Sequence, residues 1–279
     1  DVNIEFLAQQ TPGFSGADIA NMCNEAALIA ARNNKKLVDM IDFEKAKEKI
    51  MMGAERKSNV LTEEQKKTTA YHEGGHAIVA MEVEGEADPL HKVTIMPRGR
   101  ALGVTMQLPT EDKVTYDKKY LENQIAILMG GRLAEELILD QQTTGAGNDM
   151  ERATDLARKM VCNWGMSDNL GPLTYDNASN GQPFGQGGRS GGSSTVSQKL
   201  AEAIDDEVRM IVERNYNRAK DILIKHDKNL HKLAEALLEF ETLDKEQIDD
   251  LFAGKSVIVK QEAVRKRKKD QPSEDLKND

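Results

Sequence analysis

Along most of this chain, apolar residues recur every three or four positions, which is the spacing of amphipathic helices. The clearest stripe runs from Val196 to Leu223 and predicts one long helix. Helices are predicted over residues 19–32, 42–52, 63–82, 118–139, 149–163, 196–226, 229–240 and 244–252. The pattern therefore predicts a mainly α protein.

One segment has the pattern of β-strands instead. Residues 92–108 contain two runs of β-forming residues on either side of an Arg-Gly-Arg turn, which predicts a small hairpin. Two helix starts have capping signatures: Ser15 with Asp18, and Asn148 with Glu151. We expect both pairs to begin helices.

Loops and linkers separate the helical segments. Residues 177–195 are rich in Gly, Ser and Gln, so they predict a mobile loop. Residues 56–59 are a candidate linker after a small helical unit at residues 1–52. Residues 265–269 are a basic run within a charged tail, for which disorder is the first interpretation and nucleic-acid binding a poor second.

Composition narrows the class of protein. Hydrophobic residues make up 39%, charged residues 30% and aromatic residues 4% of the chain, as in soluble, helix-rich proteins. No apolar run approaches the roughly 18 residues of a membrane span, and no signal-peptide pattern is present. Two cysteines fit a reducing compartment, and the net charge of −9 argues against nucleic-acid binding.

The most informative residues are the two histidines of His72-Glu-Gly-Gly-His76. Residues four apart share one face of a helix, so both imidazoles can bind one metal ion. Glu73 lies about 100° round the helix, where its carboxylate can accept a proton from water at the metal without being a ligand. The spacing predicts a zinc-hydrolase site.

The context of this motif favours a real site over a chance match. With 5 His in 279 residues, such a match arises in roughly one of a hundred sequences. Gly74 and Gly75 each destabilise the helix by about 1 kcal/mol relative to Ala. Close approach of another backbone to the site is the reason we expect for them.

A catalytic zinc site needs a third protein ligand, and the residues alone leave several candidates. The extended metzincin pattern is absent, because Val79 and Glu82 occupy its glycine and third-histidine positions. Glu82 lies far round the helix from His76. His91 follows a proline and a turn, which favours a surface position.

Acidic residues remain as third-ligand candidates. Glu135 and Glu136 lie on a helix with an apolar face, and either could reach a metal. Asp149 follows a glycine-containing turn, where the backbone can aim a short carboxylate. An ordinary helix-start residue stabilised by the helix dipole is an equally good interpretation of Asp149.

One apparent nucleotide motif is incomplete. Gly254-Lys255-Ser256 looks like the end of a phosphate-binding loop. The loop needs a glycine five residues earlier, where this chain has Asp249, and no apolar strand leads into it. We therefore expect no phosphate-binding loop, and no nucleotide hydrolysis by this chain alone.

Several motifs in order along residues 1–253 resemble the C-terminal part of the FtsH-type ATP-dependent zinc metalloproteases, which are membrane-anchored AAA proteases. They are Thr11-Pro-Gly-Phe-Ser-Gly-Ala-Asp18, Tyr71-His-Glu-Gly-Gly-His76, Lys92-Val-Thr-Ile-Met-Pro-Arg-Gly-Arg-Ala-Leu-Gly103, Gly130-Gly-Arg-Leu-Ala-Glu-Glu136, Thr144-Gly-Ala-Gly-Asn-Asp149 and Glu213-Arg-Asn-Tyr-Asn-Arg-Ala219. The chain also begins in mid-pattern, so we expect a piece of a longer protein.

The resemblance implies that residues 1–55 are the helical lid of an AAA module. Gly16 and Ala17 would then lie beside the adenine of ATP, which binds with Mg2+ in the full-length protein only. The phosphate-binding loop and the membrane anchor would lie upstream. The full-length protein would act at the cytoplasmic face of the inner membrane, whereas this fragment would be soluble.

The resemblance further implies that residues 60–252 are a mostly helical zinc protease domain with a small β-sheet, assembled as a homo-hexamer. It implies that His72, His76 and Asp149 bind the zinc, with Glu135 in a supporting role. Residues 253–279 would be a charged, disordered tail. Gly74 departs from the family pattern, where Ala or Ser is more usual, and this bears on helix stability.

The resulting hypothesis is an endopeptidase in which Glu73 is the general base and unfolded or membrane-extracted polypeptides are the substrates. The strand at 93–96 or 102–106 could bind substrate as an added strand, or be a plain structural hairpin. Two alternatives stay open: a zinc-stabilised scaffold with a fourth protein ligand, and an assembly module that uses residues 196–252 as its surface.

Overall fold

The computed structural model describes residues 2–11, 13–54, 61–83, 85–98, 101–109, 113, 115–175 and 197–255. The helices are α1 Ile4–Gln9, α2 Gly16–Arg32, α3 Met40–Met52, α4 Glu63–Glu82, α5 Lys118–Leu139, α6 Gly147–Cys162, α7 Gln198–Lys225, α8 Asp227–Phe240 and α9 Lys245–Phe252. The strands are β1 Leu90–Thr94, β2 Val104–Gln107 and β3 Thr242–Asp244. The expected mainly α fold with a small sheet is confirmed.

Helices α1 to α3 form a small unit whose helix starts are fixed locally. Ser15 and Asp18 make the expected capping box at the start of α2. Asp39 and Asp42 make a second one at α3, where Lys35 contacts both carboxylates. The buried core of this unit is small, and Met22, Ala26 and Ala46 pack together in it.

Helices α4 and α5 cross at two glycines. A Cβ atom added at Gly75 would lie 2.2 Å from the carbonyl oxygen of Gly130, and one added at Gly130 would lie 2.6 Å from the carbonyl oxygen of Gly75. Neither residue can carry a side chain at this distance. The reason expected for the glycines of α4, close approach of another backbone, is therefore confirmed for Gly75.

The remaining helices surround this crossing and bury the larger core. Helix α7 packs along α5, and α8 packs on α4. Ile125 and Leu133 from α5, Met160 from α6 and Leu230 and Leu237 from α8 are fully buried in this cluster. The second half of α4 is buried almost all round, so the metal motif lies inside the protein.

The sheet has the order β2–β1–β3, and both pairs are antiparallel. Strand β3 was not predicted, because its three residues form a strand only by pairing with β1. Strand β1 and the segment after it also contact α3, since Glu48 accepts hydrogen bonds from Lys92 on the strand and from Arg98 beyond it. In the part of the chain that the structure describes, β2 is an edge strand.

The start of α6 differs from the sequence prediction. Asn148 and Glu151 do not form the expected capping pair, because the helix begins earlier, at Gly147. A short 3-10 turn, Thr144–Ala146, leads into it, and Ala146 provides no side-chain cap. Asp149 therefore lies inside the first turn of α6.

Some predicted segments lie outside the described residues: the loop at 177–195, the linker at 56–59, the basic run at 265–269 and most of the hairpin turn at 98–100. Among the helices that the structure describes, none combines the length and the apolar character needed to cross a membrane.

Candidate metal centre

Three side chains from α4 and α6 converge on one point. The Nε2 atoms of His72 and His76 are 3.1 Å apart, and Oδ2 of Asp149 lies 3.3 and 3.4 Å from them. Ligands of a tetrahedral zinc ion, with bonds near 2.1 Å, lie about 3.4 Å from one another. The triangle therefore has the size of one face of a zinc site.

His76 is held in the tautomer that a metal ligand requires. Its Nδ1 lies 2.7 Å from the carbonyl oxygen of Ile127 on α5. Because a carbonyl can only accept, Nδ1 carries the hydrogen and Nε2 keeps its lone pair. The amide of Gly131 lies 3.3 Å from the same Nδ1. This longer contact is secondary, since a protonated ring nitrogen cannot accept a hydrogen bond.

His72 is held in the same way by a buried carboxylate. Its Nδ1 donates to Oε1 of Glu135 at 2.7 Å, and the backbone amide of Thr143 donates to Oε2 of Glu135 at 3.0 Å. Glu135 is only 1% exposed. Its side chain is thus engaged on both oxygens, away from the ligand triangle, so of the acidic candidates only Asp149 reaches the two Nε2 atoms.

A second glycine of α5 makes room for the imidazoles. A Cβ atom at Gly131 would lie 2.5 Å from Nε2 of His76 and 2.7 Å from Nε2 of His72. Any side chain at this position would occupy the space between the helix and the ligand atoms. Gly131 is therefore part of the site, although the sequence analysis gave it no role there.

The electrostatics of the site favour a bound cation. Burial opposes charging of His72, but its hydrogen bonds with Asp149 and Glu135 raise its pKa to about 10. Burial likewise opposes ionisation of Asp149, but its contacts with the imidazoles of His72 and His76 hold its pKa below the usual range. Positive charge between these groups is stabilised, and a divalent ion would supply it.

Glu73, on α4, lies beside the triangle and contacts β2. It is 6% exposed, and the hydroxyl of Thr105 donates to its Oε2 at 2.7 Å. Burial raises the pKa of Glu73, while the nearby imidazoles of His76 and His72 oppose the shift. A buried carboxylate within electrostatic range of both histidines is suited to proton transfer.

The other candidate residues lie elsewhere. Glu136 accepts a hydrogen bond from Tyr216, and Glu82 is bonded to Lys225 and His226. His91 is half-buried on β1 rather than on the surface. None of the three belongs to the ligand triangle.

The nucleotide-contact candidates Gly16 and Ala17 form the exposed first turn of α2. Their expected contact with ATP stays a prediction.

Thr105 was not predicted from the sequence as a residue of the site, because only the fold brings β2 against α4. A threonine on a predicted strand carries no signal of such a contact.

The class of protein follows from this geometry. Two histidines one turn apart on a helix, an acidic residue beside the first histidine and a converging carboxylate from a second helix are the arrangement of a zinc metalloprotease domain. The chain belongs to peptidase family M41, whose family model matches residues 59–251. A second model, the AAA+ lid domain, matches residues 1–45.

Curated relatives agree with this assignment. The chain is 58% identical over 266 residues to the ATP-dependent zinc metalloprotease FtsH of Magnetococcus marinus, covering 95% of this chain and 39% of the relative. It is 57% identical to the FtsH protease of Acidobacterium capsulatum, covering 92% of this chain and 40% of the relative. The chain thus spans about two fifths of the length of these relatives.

Proposed function

We propose that this chain is a zinc-dependent endopeptidase in which His72, His76 and Asp149 bind the metal and Glu73 is the general base. The observation that carries the proposal is the triangle of ligand atoms with sides of 3.1 to 3.4 Å, made by two imidazole nitrogens and one carboxylate oxygen. Nitrogen and carboxylate donors suit zinc, and three protein ligands leave a position open for chemistry.

In this proposal the protein residues have separate tasks. Zinc, when bound, supplies a Lewis acid that activates water and polarises the peptide carbonyl. Glu135 and the Ile127 carbonyl orient the two imidazoles through their Nδ1 atoms. Glu73 accepts a proton from the attacking water and then delivers it to the leaving amine, so its carboxylate ends the cycle as it began.

The edge strand β2 suits a polypeptide substrate. An extended peptide can add to an exposed strand edge through main-chain hydrogen bonds, which favours unfolded substrates with loose sequence preference. Thr105 on this strand contacts Glu73, so a peptide along β2 would lie near the general base. A purely structural role of the hairpin is the competing interpretation.

The test of the general base is the substitution Glu73→Gln in zinc-loaded protein. We expect zinc content to stay near one ion per chain while hydrolysis of fluorescent casein collapses, because an amide cannot accept the proton. Glu82→Gln, on the same helix but bonded to Lys225 and His226, is the matched control and should keep both properties. Unchanged hydrolysis by the Glu73→Gln variant would reject Glu73 as the base.

The test of the third ligand is Asp149→Asn. Loss of the anionic oxygen should lower zinc occupancy, because a neutral amide is a poor ligand for zinc. Asp155→Asn, on an exposed position of the same helix, is the control. If the Asp149→Asn variant keeps full zinc occupancy and hydrolyses casein, another residue is the third ligand. If a fourth protein residue binds the zinc, the alternative of a zinc-stabilised scaffold is favoured.

For the longer protein we propose ATP-driven unfolding and translocation coupled to this protease, as a homo-hexamer anchored at the cytoplasmic face of the inner membrane. The proposed division is a helical lid at residues 1–55, with Gly16 and Ala17 beside ATP and its Mg2+, a protease domain at 60–252 and a tail at 253–279. The match of the lid model to residues 1–45 supports the first of these. Sedimentation of the chain would test whether it forms the hexamer. We propose no nucleic-acid partner for the protein.

A further inference from the structure

The only hydrogen-bond partner that the described residues offer to the Glu73 carboxylate is one hydroxyl on β2. Oγ1 of Thr105 lies 2.7 Å from Oε2 of Glu73 and 3.0 Å from the backbone oxygen of the same residue. Both of these oxygens are acceptors when Glu73 is ionised, so the Thr105 hydroxyl is the donor, and its one hydrogen is shared between them with Oε2 the nearer acceptor. A hydrogen bond to an ionised carboxylate is stronger than one between neutral groups.

This contact fixes one carboxylate oxygen and leaves the other free. Oε2 is occupied by Thr105, whereas Oε1 has no hydrogen-bond partner among the described residues. A general base needs one oxygen available to water and a side chain that does not rotate away from it. The second contact, to the Glu73 backbone oxygen, ties the strand to the helix turn that carries the base.

The approach of β2 to α4 depends on Gly103, just before the strand. A Cβ atom there would lie 2.7 Å from Cγ of Glu73 and 2.8 Å from Cγ2 of Thr69. The missing side chain lets the strand lie against the helix, which brings Thr105 within reach of Glu73. The contact is thus a consequence of how β2 packs and not of a surface side chain in a chance rotamer.

We propose that Thr105 is a positioning residue for proton transfer: its hydroxyl anchors Oε2 of Glu73 so that Oε1 stays directed to the water that attacks the substrate. This inference rests on the proposed function of Glu73 as general base. It adds a requirement for a hydroxyl group on β2, which the metal ligands alone do not imply.

The test uses two pairs of variants that differ only in the hydroxyl: the parent with Thr105→Val, and Thr105→Ser with Thr105→Ala. In zinc-loaded protein acting on a fluorogenic peptide, we expect kcat to fall about tenfold within each pair, at unchanged KM and unchanged zinc content. Thr105→Ser should retain most of the parent kcat. The second pair decides the question if Thr105→Val does not fold.

Control substitutions separate positioning from general loss of structure. Thr154→Val makes the same exchange at an exposed position of α6, where the hydroxyl bonds only the backbone, and should change neither kcat nor KM. The proposal is overturned if the hydroxyl-free variants keep the parent kcat, or if Thr105→Ser loses as much as Thr105→Ala. It is also overturned if the loss appears in KM alone, which would make β2 only a substrate-binding strand.

A second measurement does not need activity. In zinc-loaded chains, Thr105→Val should raise the unfolding equilibrium constant about tenfold in the parent but only about threefold in a Glu73→Ala background. Equal effects in both backgrounds would show that the two side chains are not coupled, and would overturn the proposal. If the parent chain hydrolyses no peptide, the proposed function fails while this cycle still decides the Thr105 contact.

Discussion

The metal centre and the α1–α3 unit are built in opposite ways. At the metal centre, both imidazoles are held by groups on α5, and glycines on α5 admit the α4 backbone and the imidazoles. In the α1–α3 unit, capping boxes fix the starts of α2 and α3 locally, and the buried core is small.

Exposure shows the same contrast. Large apolar side chains of the α1–α3 unit, including Ile4 at 77% and Leu37 at 83%, face solvent in this chain. The residues that orient the metal ligands are almost fully buried, with Glu135 at 1%. A precise site thus depends on long-range packing, whereas the α1–α3 unit has a small core and leaves large apolar side chains exposed.

The largest effect that we expect comes from the helix crossing. Gly75→Ala should lower the free energy of unfolding by more than about 3 kcal/mol and abolish stoichiometric zinc binding, because the new methyl group overlaps the Gly130 backbone. Urea unfolding and metal analysis would measure both.

The neighbouring glycine is the matched control. A Cβ atom at Gly74 would lie 3.1 Å from Cδ1 of Leu230, a side chain that can move, and its next contacts, with Leu233 at 3.9 and 4.0 Å, are ordinary. The helix propensity of Ala offsets the contact, so Gly74→Ala should stay within about 1 kcal/mol of the parent. Equal effects of the two substitutions would mean that the crossing is not the constraint.

A core substitution in the α1–α3 unit should be smaller and local. Met22→Ala should destabilise that unit by about 2 kcal/mol, because a buried side chain is lost. Zinc affinity should not change in the Met22→Ala variant.

By contrast, Met160→Ala, on the helix that carries Asp149, should weaken zinc binding at least threefold in a competition titration. A loss of zinc affinity in Met22→Ala would show that the two regions are not independent.

The sequence predicted some parts of the metal centre correctly and others wrongly. The bounds of α4 and α5 were predicted because caps and apolar periodicity are local signals. The convergence of His72 and His76 was predicted because their spacing on a helix fixes their geometry. The first turn of α6 was predicted wrongly, since a 3-10 turn replaces the expected side-chain cap.

Other parts of the site had no local signal. From the residues alone, Glu135, Glu136 and Asp149 were all open as the third ligand, and only the family resemblance favoured Asp149. The packing of α5 and α6 against α4 brings Asp149, and not Glu135, to the Nε2 atoms. Thr105 and Gly131 act through contacts between residues more than thirty positions apart. Strand β3 exists only through its pairing with β1.

The orienting carboxylate gives a further prediction at the metal centre. Glu135→Gln should lower zinc affinity about 10- to 100-fold, because an amide oxygen is a weaker acceptor for the His72 Nδ1 hydrogen. A chelator competition assay would measure the change. Glu136→Gln, next to it but bonded to Tyr216, should leave zinc affinity as it is. Equal losses in both variants would point to helix α5 as a whole.

The smallest expected effect is a pH dependence of stability caused by His91, which lies on β1 near Lys47 of α3. Burial, followed by the charges of Lys47 and Lys92, lowers the pKa of His91 to about 4. The unfolded chain therefore binds this proton first, near pH 6.5, and stability is lost as the pH falls toward 4.

Between pH 7 and pH 5 this titration should cost about 1 kcal/mol, after allowance for solvent screening. His91→Gln should flatten the dependence of the unfolding free energy on pH by that amount. A variant with the same slope as the parent would show that His91 stays accessible to protons in the folded state.

The most direct test of the account is a crystal structure of the zinc-loaded chain with anomalous data at the zinc edge. We expect one peak coordinated by Nε2 of His72, Nε2 of His76 and Asp149, with Glu135 on the far side of the His72 ring. A peak bound to Glu135 in place of Asp149, or closed by a fourth protein ligand, would contradict it.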